Sequence, residues 1–331
     1  MICSLNARLL TACLVLTWTP EAFAGIDNAI NEAFRPIATA LVNFVFFSVP
    51  IVGSDLPLIV VWLIAGALYF TIRLRLISIR GFRHAVRIVM GKEEMRPRAP
   101  GEVSHFQALT TAVSGTVGVG NITHVAVAIS IGGPGAAFWL MVAGFLGMAT
   151  KFVECTLGVK YRQMNADGTV SGGPMFYLDK GLSRNGLPRL GKALAWYYSI
   201  CVILGCFGIG CMLQANQAYV QFLGISGGES SPFAARGWLF GGILAILVAC
   251  VIIGGIKSIA RVTSKLVPFM ALLYVGTALV IIGTNYAAIP GAFAAIVTNA
   301  FSPDGVTGGV IAIVILGFRR AAFSNEAGIG S

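Results

Sequence analysis

The chain has 331 residues, of which 56% are hydrophobic and only 11% charged, with a mean hydropathy of +0.83. A soluble domain carries about a quarter charged residues, so this composition excludes a domain that covers its own surface with polar groups; the chain must face lipid. The net charge of +10 would suit nucleic acid, but the basic residues cluster in alternate loops, which assigns them to one face of a membrane instead.

Residues 1–24 read as a cleavable signal peptide: Arg8 is the positive start, 9–18 a short apolar core, and Ala22-Phe23-Ala24 a small-x-small cleavage site. A lipoprotein box ending at Cys13 and an uncleaved anchor are the alternatives. Residues 25–55 follow as a periplasmic or interfacial segment, because the apolar run 36–52 is short and bounded by prolines.

From Asp55 onward the chain alternates apolar runs of about 20 residues, the length that spans a bilayer, with short loops. The runs are 56–73, 106–131, 136–159, 196–223, 238–256, 266–284 and a last one from about 307. Eight of the 23 Lys and Arg residues fall in 73–98, six in 160–192, three in 257–265, and Arg319 and Arg320 stand after the last run. The opposite loops hold only Arg35 and Arg236. The positive-inside rule then puts the basic loops in the cytoplasm of a bacterium, the protein in its inner membrane and the mature N-terminus outside. The stretch 73–92 interleaves arginines with Leu74, Ile77, Val86 and Ile88, and is expected to continue the first span along the inner interface.

The chemistry is expected at the centre of 106–131, where Gly115, Gly118 and Gly120 lie within six residues. Each glycine costs a helix interior about 1 kcal/mol relative to alanine, and a helix interrupted at mid-membrane is tolerated where its freed backbone lines a cavity or binds a solute. Freed carbonyls at Ser114, Gly115, Thr116 and Val117, with the side-chain oxygens of Ser114, Thr116 and Asn121, would suit sodium. Freed N–H groups around Gly118 to Gly120 would suit a carboxylate. Close packing of a neighbouring helix also explains glycines; Asn121 and two hydroxyls in an otherwise apolar helix favour a solute pathway.

Three further features are polar within apolar surroundings. Gln214, Asn216 and Gln217 share one helix after FGIGCM (207–212), as substrate contacts or as glue between helices. Lys151 and Glu154, three apart, form a snorkelling pair or part of an inner gate. At the end, a glycine-interrupted run passes through Arg319 and Arg320 into SNEAGIGS (324–331) and reads as a second broken helix, opposite in direction to the first. Two such segments point to the site of an inverted-repeat transporter.

No enzyme chemistry is indicated. The three histidines, His84, His105 and His124, have no recognisable nucleophile partner, the glycine runs follow no strand as a nucleotide site requires, and Cys155, Cys201, Cys206, Cys211 and Cys250 sit in apolar helices without metal-ligand spacing.

Seven blocks in order, GEVSHFQALTTAVSGTVGVGNI (101–122), GGPGAAFW (132–139), GMATKFVECTLGVKYR (147–162), SGGPMFYLDKGL (171–182), QANQA (214–218), GGIKSIA (254–260) and AAFSNEAGIGS (321–331), resemble the alanine/glycine:cation symporter family, also called sodium:alanine symporters, from about Pro57 to the end. The resemblance implies an all-α LeuT-type fold: one peripheral helix (56–73), then two five-helix repeats of inverted topology. The chain would hold the first repeat and the start of the second. It implies uptake of small neutral amino acids by alternating access, coupled to sodium or protons, with no cofactor and no obligatory protein partner. Sodium would sit at Ser114, Thr116, Val117 and Asn121. Substrate would sit at Gly115, Thr116, Gly118, Gly120 and Asn121, joined by Gln214, Asn216 and Phe318. Three departures from the family pattern stand out: Thr123-His124 where a small residue and glycine are usual, Cys211 in place of an asparagine, and no core helices seven to ten. The last of these leaves a non-transporting remnant or fragment, or an amino-acid sensor, as alternative expectations.

Overall fold

The computed structural model describes residues 20–51, 54–93, 103–166, 169–234, 236–302 and 309–330; most of the expected signal peptide, 1–19, lies outside them. The described chain is almost entirely helical, with two short antiparallel hairpins. Helix α1 (Pro20–Val45) is followed by hairpin β1 (Ser48–Ile51) and β2 (Ser54–Pro57). Within the segment expected at 36–52, residues 36–45 are therefore helical and Ser48–Ile51 a strand, residue 52 lying outside the described residues, and Pro36 lies inside α1.

Helix α2 (Leu58–Arg73) ends where Arg75 and Leu76 both adopt left-handed φ values of 51° and 55°. That turn separates α2 from two short helices, α3 (Ile77–Arg80) and α4 (Phe82–Val89), so the basic stretch does not continue the first span as expected but starts afresh. Glu93 folds back onto α4, 3.0 Å from Arg87 Nε and 2.7 Å from His84 Nδ1.

Helices α5 (His105–Thr116) and α6 (Val119–Gly132) make a pair bent by 42°. Ser104 starts α5 with a capping box: its hydroxyl accepts from Gln107 N–H while the Gln107 side chain accepts from Ser104 N–H. Gly133 (φ 68°) and Pro134 turn the chain into α7 (Gly135–Lys160). Hairpin β3 (Gln163–Met164) and β4 (Val170–Ser171) leads into α8 (Pro174–Arg184) and α9 (Pro188–Gly205). The helix continues through a π-helical stretch, Cys206–Met212, into α10 (Leu213–Ile225).

Then come α11 (Gly237–Ile252), α12 (Gly255–Thr284), α13 (Ile289–Ala300) and α14 (Gly309–Asn325). Lys257, Arg261 and Lys265 are inside α12 rather than in a loop. Arg319 and Arg320 are inside α14, not beyond a span as their place in the loop pattern suggested.

Among the described residues three helices are long and apolar enough to cross a membrane, Gly135–Lys160, Pro188–Ile225 and Gly255–Thr284, and the bent pair passes the same test when its halves are taken together as one span. Helices α2 and α11, at 16 residues each, rise about 24 Å, less than the ~30 Å hydrocarbon core. Leu272 and Trp62 are each 75% exposed, as lipid-facing residues must be when the helices lie in hydrocarbon.

The buried core lies where α14 packs on α7, with α2 and α6 alongside and α13 against the start of α7. Val60, Ala143, Phe318 and Ala321 form one buried cluster, and Ala128, Ala136 and Ile313 another. Small residues make this approach possible, as in membrane helix seams generally. Trp139 Nε1–H donates to Ala300 O at 3.0 Å and its ring meets Phe301, which fixes the end of α13. Elsewhere α8 packs along α9, and α5 lies along α12 with the hydroxyls of Thr111 and Thr263 3.1 Å apart.

Candidate functional site

The interruption expected within 114–121 falls at Val117 and Gly118. Val117 is extended (φ −91°, ψ 99°) and its N–H closes the last bond of α5 on Val113 O. Gly118 (φ −151°, ψ −146°) turns the chain into α6. An α-helix leaves its last four carbonyls without partners in its own ladder; here they belong to Ser114, Gly115, Thr116 and Val117. The hydroxyls of Ser114 and Thr116 donate back to Thr111 O (2.7 Å) and Ala112 O (2.9 Å). Their protons are thus committed and their lone pairs remain available as neutral oxygen donors.

Two other helices meet this break. Gln214, at the start of α10, accepts through Oε1 from Val119 N–H at 3.4 Å, so the first amide of α6 is satisfied by a side chain. A β-carbon on Gly118 would stand 3.4 Å from the same oxygen, in contact with the amide, so that a larger side chain there would displace it. From α14, Ser324 Oγ donates to Asn121 Oδ1. Asn121 in turn closes the first turn of α6 by donating its N–H to Gly118 O at 3.1 Å. Gly115 has open space where a side chain would lie, and Gly120 sits in the first turn of α6.

Of the expected site residues, Ser114, Gly115, Thr116, Val117, Gly118, Gly120 and Asn121 are brought together with Gln214. Asn216 is exposed, and its Oδ1 accepts from Gln217 Nε2 at 3.4 Å. Phe318 is 9% exposed and packs with Val60, Ala143 and Ala321 against α2 and α7. One turn from the Asn121–Ser324 contact, Arg320 of α14 is near enough to His124 of α6 for their charges to interact. Arg319 points the other way, its guanidinium 4.3 Å from the Phe46 ring centroid.

The second interruption lies later than Gly317. Helix α14 runs unbroken to Asn325, and Gly317 instead meets Trp139: a β-carbon there would be 2.6 Å from Trp139 Cβ. The non-helical stretch is 326–330, where Glu326, Gly328 and Gly330 all have positive φ (51°, 92° and 86°). The sequence holds the signal for it, an Asn followed by glycines at every second position, which is the pattern of a helix C-terminus.

Ser324 was not singled out as a contact of the first break. Ser324→Ala is expected to lower stability by about 1 kcal/mol, the net worth of one hydrogen bond, read as a fall in the thermal midpoint of the purified protein. A double-mutant cycle with Asn121→Ala should return a coupling of similar size.

Apolar spans, a helix interrupted in its middle and polar groups from three helices gathered at that interruption define a helical membrane transporter. The family model described as "Sodium:alanine symporter family" matches residues 39–331, and the chain belongs to that family, a family of transporters and not of enzymes. It is 40% identical over 276 residues to the sodium/alanine symporter AgcS of Methanococcus maripaludis, covering 83% of this chain and 58% of that protein. It is 34% identical over 284 residues to the probable sodium/glutamine symporter GlnT of Bacillus subtilis, covering 85% and 56%. It is 38% identical over 270 residues to the amino-acid carrier protein AlsT of the same organism, covering 81% and 54%. The chain thus spans little more than half the length of the curated relatives it matches.

Proposed function

We propose that the chain forms the ion- and substrate-binding part of a sodium-coupled symporter for small neutral amino acids, alanine or glycine among them. The fold proposed for it is a LeuT-type inverted repeat. In that reading α2 is the peripheral helix, the α5–α6 pair to α12 form the first repeat, and α14 opens the second. The mature N-terminus faces outward from a bacterial inner membrane.

The observation that carries this reading is the break at Val117 and Gly118, flanked by Gln214 and Asn121. Oxygen-only donors at 114–117 and Asn121 match a monovalent hard cation, and the N-terminal amides of α6 match a carboxylate. A zwitterion beside a sodium ion satisfies both halves of the break. Sodium stabilises the interrupted conformation and raises amino-acid affinity there, and its downhill entry drives uptake, at about 2.3 kcal/mol per 100 mV of membrane potential. A proton remains the alternative coupling ion.

The test is uptake of labelled alanine into proteoliposomes holding the whole gene product that contains this chain. An inward sodium gradient should give accumulation above equilibrium, lost when potassium replaces sodium. Uptake indifferent to sodium overturns the reading.

A further inference from the structure

Among the described residues, two hydrogen bonds tie helix α9 and its continuation α10 to the start of α6 and to the segment after α14, each made to backbone at or beyond a helix end. One is the Val119–Gln214 contact at the first break. The other lies nearer the α8 end of the bundle, where Tyr198 Oη of α9 donates to Gly330 O at 2.8 Å.

The segment that carries Gly330 is itself held from α7. Gly328 N–H donates to Glu154 Oε1 at 2.9 Å, and Lys151 Nζ stands 3.5 Å from Glu154 Oε2. Ala327 N–H is taken by Asn325 Oδ1 at 3.0 Å, so the turn is also tied to the end of its own helix. Its contacts leave little slack: β-carbons on Gly328 and Gly330 would lie 2.7 Å from Leu63 and 2.6 Å from Pro174. On one flank, however, Gly328 and Glu154 border a groove of about 500 Å³ between α2 and α7, lined also by Trp62, Leu63, Phe70 and Thr150. On that flank the turn is held by the Gly328–Glu154 hydrogen bond, with Leu63 close against Gly328.

We propose that Tyr198 is a latch and Glu154 its positioning residue. Together they hold the 326–330 segment against α9 in one conformation of the transport cycle and let it part from α9 in the other. The physical argument is that α9 and α14 share little packing, so a single phenol-to-carbonyl bond sets a large part of their relative position on this side. Glu154 presents the carbonyl by fixing the amide two residues before it. Lys151 on the same helix face stands beside the carboxylate and offsets part of its charge. The transport role rests on the sodium-symport reading above; the mechanical link stands apart from it.

Two measurements on the whole gene product test the proposal. The first is hydrogen–deuterium exchange of residues 326–330. Tyr198→Phe and Glu154→Ala should each speed exchange by roughly two- to tenfold, the worth of one hydrogen bond. Glu154→Gln, which still accepts from Gly328 through its amide oxygen, should exchange at the native rate. Unchanged exchange in Tyr198→Phe, or equal acceleration in Glu154→Gln and Glu154→Ala, overturns the latch.

The second is sodium-driven alanine uptake. The Tyr198 contact is closed here together with the interrupted helix proposed to bind sodium, so loss of the latch lowers the fraction in that conformation and apparent affinity falls by that fraction. Tyr198→Phe should therefore raise the KM for sodium by roughly two- to tenfold while Vmax is retained. A purely structural contribution would lower Vmax through the amount of folded carrier and leave KM alone; that outcome also overturns the latch. Absence of any sodium-dependent uptake in the unaltered protein would instead remove the symport reading, and the exchange rates alone would then decide the latch.

Discussion

Gly118→Leu is expected to abolish sodium-driven alanine uptake, with a loss on the order of a hundredfold or more. A hundredfold is about 2.8 kcal/mol, no more than one or two hydrogen bonds to charged groups at roughly 1.5–3 kcal/mol each. A β-carbon at this position already stands 3.4 Å from Gln214 Oε1 and 3.5 Å from its Nε2. The rest of a leucine side chain would displace that amide, free Val119 N–H and fill the space proposed for the carboxylate. Gly118→Ala should be milder, because the Gln214 side chain can withdraw by a few tenths of an ångström. Combining it with Gln214→Ala should be less harmful than the two losses added, since both act on one contact. Uptake of labelled alanine in proteoliposomes, with size-exclusion profiles to show intact protein, measures all of these. Native uptake in Gly118→Leu would remove the break from the mechanism.

How far this site could be read from residue order follows from what each signal depends on. The break was legible because three glycines in six residues weaken a helix interior while Asn121 and two hydroxyls marked the stretch as polar; of the three, only Gly118 stands at the break, with Gly115 and Gly120 in the flanking helices. The Lys151–Glu154 pair was legible because residues three apart on a helix meet regardless of tertiary structure. Gln214 was visible as a polar residue in an apolar helix, but which of Gln214, Asn216 and Gln217 faces the break depends on the helical phase. The π-helical stretch Cys206–Met212 changes that phase just before α10: each π turn adds a residue and rotates everything after it. No periodicity argument that assumes 3.6 residues per turn can carry a face across such a stretch.

Other elements were hidden for a different reason. Helix α13 is 12 residues long, too short to register as a span, and it is seated by Trp139, about 160 residues away in sequence. Arg319 and Arg320 looked like loop residues because charge in a span is costly. Arg319 is exposed and lies over the Phe46 ring, and the half-buried Arg320 lies near the polar layer of His124, Asn121 and Ser324, neighbours that only the fold supplies. Likewise the last run read as a glycine-interrupted, broken helix, yet α14 is continuous through Gly317. That glycine answers to a neighbour's backbone instead, while the real departure from helix begins after Asn325.

That distinction leads to a graded prediction on the α7–α14 seam. Helix propensity alone would make glycine to alanine favourable by about 1 kcal/mol at any interior position, so contacts decide the sign. At Gly144 an added β-carbon meets nothing within 4 Å; at Gly147 it lies 2.8 Å from Asn325 Nδ2 and 3.2 Å from Ala327 Cβ; at Gly317 it lies 2.6 Å from Trp139 Cβ and 3.1–3.2 Å from backbone atoms of Trp139 and Leu140. Gly144→Ala should be neutral or raise the thermal midpoint. Gly147→Ala should lower it modestly, because the nearest neighbour is the end of a side chain that can shift. Gly317→Ala should be the most damaging, by roughly 1–3 kcal/mol, because helix α7 must move bodily to admit one methyl group. Thermal midpoints of the purified variants in detergent check the order. Gly317→Ala melting with Gly144→Ala would mean that α14 does not lie along α7 at this distance. In that case the Asn121–Ser324 contact, which depends on where α14 sits, would lose its footing as well.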